Sequence, residues 1–314
     1  MGTPTDISRL GATYLAYVGG SVVLLGLTMS LSAMARVKGM LNFPLLVSLW
    51  TNLLNLCLSA LAIFAFPWGL VGVALATVMS RFLGCLWLWL RLDLFKSWAW
   101  TGNLLSSKLL ALTLPAVGER LMMRLGDLLT LTLLTGLGTK VIAANSIGES
   151  LTQFNYLPAL GMATATLILV AEAYGKQELQ AGADVLKRAY VLASPMMLLL
   201  SGMIYGLGQD LIGFFTADGA VRAGSRIVLF YSFLGSPITA GVMVLTSFWQ
   251  AVGKSQLPLY ATSFGMWGIR IGLGYLLIAQ FQLGLTGLWL ATILDNLWRL
   301  VYLCYHYTKY ETVD

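Results

Sequence analysis

Nine long runs of apolar residues follow one another along the 314-residue chain, at roughly 13–35, 45–66, 69–90, 109–136, 150–172, 189–207, 227–249, 258–280 and 283–305. Each is bounded by charge, Pro or Gly, and each approaches the about 20 residues that a helix needs to cross a bilayer. The runs are continuous, not alternating, and about twice as long as a barrel strand, so they predict helices. The connections between them fall into two sets. One holds Arg36, Lys38, Arg91, Lys96, Lys108, Lys176, Lys187, Arg188, Lys254 and Lys309; the alternate set holds only Arg9, Lys140, Arg222 and Arg226. Ten against four, alternating over nine spans, predicts an outside N-terminus and a cytoplasmic C-terminus by the positive-inside rule. Residues 1–91 then form a three-helix lobe, 92–108 a cytoplasmic linker, 109–308 a six-helix lobe and 309–314 a cytoplasmic tail.

Composition sharpens this picture. Hydrophobic residues make up 58% of the chain and charged residues 10%, against about 45–50% and about 25% in a soluble domain. Too few charges remain to build a water-facing shell, so the expected class is an all-α polytopic membrane protein embedded in the lipid bilayer. The net charge of +6 is spread thinly between apolar runs, which argues against a nucleic-acid partner. Cys57, Cys85 and Cys304 have no CxxC spacing and His306 is the single histidine; a zinc site is not supported, and no cofactor is implied. No nucleophile–base set appears, so an enzyme is not expected. The opening MGTPTDISRL has no basic region before a short apolar core and does not read as a cleavable signal peptide.

An internal repeat is visible. GLVGVALAT (69–77) and GLTGLWLAT (284–292) share six of nine residues, and Pro44 and Pro258 close two basic loops at nearly the same offset. Both copies point the same way, as in a parallel transporter repeat. If the second copy begins near Leu109, the first would begin about 105 residues before Met1, room for three more helices. The expectation is a six-plus-six protein without its first three spans; a nine-helix protein with partial duplication is the alternative.

The ordered features resemble the multidrug and toxin extrusion (MATE) family. They are the basic loops before a Pro-started helix, NLLN (52–55), GLVGVALAT, LPAVGERLMMRLGDLL (114–129), LGTKVIAANSI (137–147), LPALGMATATLILVAEAYG (157–175), QAVGKSQLP and GLTGLWLAT. The resemblance implies two helical bundles around a central cavity, and export of small amphiphilic or cationic compounds in exchange for H+ or Na+. Family members carry a coupling Asp in a first helix that has no counterpart here, and sodium-coupled members use an Asp in a helix whose counterpart, 227–249, holds no acid. The resemblance therefore implies no complete sodium site and leaves proton coupling through Glu119 or Asp127.

Charges within spans are costly and mark the places to look for chemistry. In the fourth span Glu119, Arg120, Arg124 and Asp127 fall within about 140° of one another, with Thr130 on the same face. They read either as the wall of a polar cavity or as an ion-pair network bracing the bundle. In the ninth span Asp295, Arg299, Tyr302 and His306 form a narrow stripe, with Asp295 and Arg299 spaced as an i,i+4 pair. Arg81 and Arg270 lie in the third and eighth spans, where Asp295 or Glu119 could partner them. The expected substrate and ion site is Glu119, Arg120, Arg124, Asp127, Arg270, Asp295 and Arg299. A lipid-linked oligosaccharide flippase and a non-transporting remnant are the alternative functions; a flippase would need an excess of Arg, whereas these charges nearly balance.

Overall fold

In the computed structural model the described residues are 5–66, 68–93 and 107–311; most of the expected linker, and the last three residues of the expected tail, lie outside them. The chain divides into two compact units, Met1–Gly102 and Asn103–Asp314. Every regular element among the described residues is helical.

The first unit contains α1 (Thr5–Gly20), α2 (Val22–Val37), α3 (Asn42–Ala60) and α4 (Gly69–Arg91), with a π-helical turn at Leu61–Ala65. α1 and α2 interrupt one another at buried Ser21, whose hydroxyl donates to Val18 O at 2.7 Å and accepts from Arg81 Nη1 at 2.9 Å. Arg81 is thus spent on a helix break within its own unit. α3 and α4 approach closely because α4 places Gly72 and Gly84 at the contact. A Cβ on Gly72 would stand 2.7 Å from Ala62 Cβ, and one on Gly84 would collide with Thr51 Oγ1. Lipid tails are as apolar as Leu, so helices in a bilayer gain by such close backbone packing and by hydrogen bonds across it. Asn55 supplies the latter, donating to Thr77 Oγ1 and Ser80 Oγ at 3.2 and 3.4 Å.

The second unit runs α5 (Ser107–Thr135), α6 (Thr139–Thr152), a 3₁₀ turn (Gln153–Tyr156), α7 (Leu157–Gly175), α8 (Leu179–Gly206), α9 (Gly208–Gly213), α10 (Gly219–Ala251), α11 (Gln256–Phe264), a π-helical segment (Gly265–Leu273), α12 (Gly274–Ala279) and α13 (Gly284–Glu311). α10 is the axle, packed by α6, α7, α8 and α13. Its small residues again set the approach: a Cβ on Gly224 or Gly241 would lie 2.7 Å from Ala144 or Leu300. One core surrounds Trp249, Met197, Val244 and Leu303; a second gathers Leu134, Val228, Leu288 and Trp289.

All nine expected spans correspond to helical segments. Among the described residues, seven segments are apolar and long enough to cross a membrane by length and composition alone. The other two are α5 and α13, of 29 and 28 residues, long enough but carrying charges in mid-helix. Three starts differ markedly: the fifth segment is helical from Thr139, not from about 150, and is bent at the 3₁₀ turn, while the sixth begins at Leu179 and the seventh at Gly219, not at about 189 and 227.

The repeat extends to backbone conformation. Gly39 and Gly253 follow α2 and α10 with φ of 80° and 82°. Both turns close with the next amide reaching back five residues, Met40 N to Ala35 O and Lys254 N to Trp249 O at 2.9 and 2.8 Å, the Schellman way of ending a helix. Gly69 and Gly284, which start α4 and α13, share φ near +50°. π-helical turns follow both α3 and α11.

Candidate functional site

α5, the π-helical segment and α13 bring most of the predicted charges together. Asp295, completely buried on α13, is the hub. Arg299 Nε and Nη2 donate to its two oxygens at 2.6 and 2.7 Å. Arg270 Nη2 adds an ion pair at 2.8 Å from the π-helical segment. Arg270 Nη1 then lies 3.8 Å from Asp127 Oδ1, and Arg124 Nη1 lies 3.6 Å from Asp127 Oδ2. The result is a line of alternating charge, Arg124–Asp127–Arg270–Asp295–Arg299, graded from exposed to buried: the Arg124 side chain is 84% exposed and Asp127 46%, while Arg299 is 4% exposed.

Backbone geometry permits this. A Cβ on Gly265 would collide with Asp295 Oδ1 and lie 3.2 Å from Arg299 Nε, so glycine lets the buried pair lie directly against the start of the π segment. Gly126 on α5 likewise admits Met266, whose side chain a Cβ there would overlap. π-helical insertions in long helices often accompany functional positions, and this one carries Arg270.

Glu119 is placed differently from its neighbours on α5. It is 5% exposed and accepts from Gln250 Nε2 of α10 at 3.2 Å and Thr262 Oγ1 of α11 at 3.4 Å. Its hydrogen-bond partners among the described residues are neutral. Arg120, adjacent in sequence, is exposed. The fourth-span charges therefore divide: Asp127 and Arg124 join the line to α13, Glu119 turns to α10 and α11, and Arg120 faces out.

Three contributors gave no clear signal in the sequence. Gln250 and Thr262 are ordinary polar residues near helix ends. Glu149 of α6 stands within electrostatic reach of Asp127 and Arg270 and beside Asn145; it was hidden because the apolar run of its span begins just after it. Asn145 itself accepts from Trp289 Nε1 at 3.0 Å, and Asn155 donates to Ser232 Oγ at 3.0 Å, so both fasten helices together. His306 Nδ1 lies 3.0 Å from Tyr302 O, one turn back along α13. Among the described residues no three His, Cys, Asp or Glu side chains cluster so as to hold a metal ion.

Comparison with known proteins places the chain in a family. The MatE family model matches residues 115–276, just over half of the chain. An uncharacterized transporter of Bacillus subtilis, YisQ, is 24% identical over 308 residues, covering 94% of this chain and 68% of its own length. A probable multidrug resistance protein NorM of Thermotoga maritima is 26% identical over 283 residues, with 85% and 60% covered. The chain thus spans roughly two thirds of the length of these relatives. Among solved structures, a MATE protein in the straight conformation superposes with a TM-score of 0.86 at 20% identity, over 96% of this chain and 69% of that one. A MOP superfamily transporter from Pyrococcus furiosus does so with a TM-score of 0.88 at 20% identity, over 98% and 71%. The matched segment contains α6, α7, α8, α10 and Arg270, and it begins at Pro115, four residues before Glu119; the chain belongs to the MatE family.

Proposed function

We propose that this chain forms the body of a membrane exporter for amphiphilic or cationic compounds, working by exchange with protons, and that Glu119 is the group that alternates between proton and substrate. The observation carrying this reading is the environment of Glu119: a buried carboxylate hydrogen-bonded to an amide and a hydroxyl, with Arg120 and Arg299 within electrostatic reach but not bonded to it. An exchange site needs two states of similar energy. A carboxylate locked to a guanidinium is committed to its charged form. One bonded to Gln250 and Thr262 has partners in either state, because an amide and a hydroxyl each both donate and accept. The line through Asp295 supplies the fixed part, holding α11 to α13 through the π segment. The names of relatives such as the Thermotoga NorM support the substrate class. The balanced embedded charge favours this class over a pyrophosphate-bearing flippase substrate. On this reading the loops holding Lys176 and Lys254 face the cytoplasm. In cells expressing the full-length gene product, Glu119→Gln abolishes pH-driven dye efflux at normal membrane abundance. Undiminished efflux by that variant would remove Glu119 from the mechanism.

A further inference from the structure

At the opposite end of α10 from the Gly253 turn, the second unit holds a cavity of about 700 Å³ between the end of α8, α9 and the first turns of α10. Tyr205, Ile212, Ile227 and Phe230 form its apolar lining, and Arg222 and Arg226, one helical turn apart on α10, bring two guanidiniums to it. These arginines are anomalous. The alternate set of connections has four basic residues, and a third of them, Lys140, is accounted for by an ion pair with Asp218 at 2.9 Å. Arg222 donates Nε to Thr216 O at 2.8 Å, and Arg226 stands 5.7 Å above the Tyr205 ring. Among the described residues neither has a carboxylate within ion-pair distance. Two uncompensated positive charges thus converge on an apolar hollow where α10 begins, which is headgroup depth for a helix that crosses a bilayer.

We propose that this cavity binds the phosphate headgroup of an anionic phospholipid, with Arg222 and Arg226 on the phosphate and the acyl chains against Ile227 and Phe230. Arginine forks match phosphate oxygens in a bidentate manner. Basic pockets between helices at the membrane surface hold anionic headgroups in this way. The volume and the apolar lining suit an amphiphile over a bare inorganic ion. The site is distinct from Glu119, whose partners lie on the last turn of α10 and on α11.

Thermal unfolding of the detergent-solubilised full-length protein tests this, with phosphatidylglycerol, phosphatidylcholine or inorganic phosphate added in turn. Phosphatidylglycerol should raise the melting temperature well above the other two additions. In R222Q/R226Q its apparent affinity should fall roughly tenfold or more, while R222K/R226K keeps most of it. If the double glutamine variant does not fold, the single R226Q, which removes no hydrogen bond seen in the structure, should show a smaller loss in the same direction. Equal stabilisation by the two lipids, an unchanged response in the glutamine variants, or full reproduction of the effect by inorganic phosphate would overturn the proposal.

Discussion

Asp295 and Asp127 are both aspartates on charged spans, yet their surroundings assign them different weights. Asp295 is completely buried and holds two arginines, themselves largely buried. Removing it strips Arg299 of its bidentate partner and leaves Arg270 only the 3.8 Å contact with Asp127, a loss of the order of 3–5 kcal/mol. Asp295→Ala should therefore deplete folded protein from the membrane, as measured by fluorescence-detected size exclusion. Asp127 pairs at 3.6 and 3.8 Å with much of its side chain exposed, where a pair contributes about 0–1 kcal/mol. Asp127→Asn should leave abundance near normal, and a collapse comparable to that of Asp295→Ala would show that the outer half of the line carries stability too. By spacing alone Arg124–Asp127 and Asp295–Arg299 are equivalent, since i,i+3 and i,i+4 neighbours meet on any helix. Spacing does not report depth, and depth separates a bracing pair from a surface one. Nor could it find Gln250 and Thr262, which matter only because α10 and α11 bring them to Glu119.

At the scale of elements, apolar runs located every span but not every end. α6 begins eleven residues before the expected start because its first three turns are too polar to register as a span. Lys140, Asn145 and Glu149 are nonetheless helical there, secured by Asn145 on Trp289 and by Gly148 against Val228. The start of α10 was similarly hidden in the hydropathy pattern although Asp218 marks it. Asp218 caps the helix by accepting from Ala220 N and Val221 N at 2.8 and 3.3 Å, and it pairs with Lys140. The Lys140 ammonium first, then the two amides, hold its carboxyl below the ordinary 3.8. A depressed carboxyl stabilises the fold at pH above the ordinary value, and that contribution fades as pH falls through the folded value. Acid unfolding monitored by intrinsic fluorescence below pH ~4 should accordingly be less steep in Asp218→Asn than in wild type; identical acid profiles would deny the cap and ion pair any role. Gly265 offers a second test. A methyl there meets the Asp295 carboxylate, so Gly265→Ala should cost about 1–3 kcal/mol, whereas Gly161→Ala, with open space around its Cβ, should be silent. Equal melting temperatures for the two variants would mean that the π segment yields without cost.

For the whole molecule, the repeat was legible as matching strings and proved deeper as matching backbone, with left-handed glycines at equivalent turns. Within each unit the basic residues of the connections have partners of their own. Lys38 reaches Leu92 O in the first unit, Lys254 stands 4.1 Å above the Tyr310 ring in the second, and Lys140 meets Asp218 among the connections of the alternate set. Cysteines placed at Gln177 and Gln282 in a background lacking Cys57, Cys85 and Cys304 should label oppositely with an impermeant maleimide in intact cells, Gln282 from outside and Gln177 not. The reverse pattern would invert the orientation. A carboxylate that trades a proton for substrate releases that proton on binding, so proton release reads the exchange directly. Purified full-length protein in weakly buffered detergent solution, mixed with a cationic dye substrate beside a pH indicator, should release protons on binding, and Glu119→Gln should bind with that release abolished. Equal release by wild type and Glu119→Gln would contradict the account.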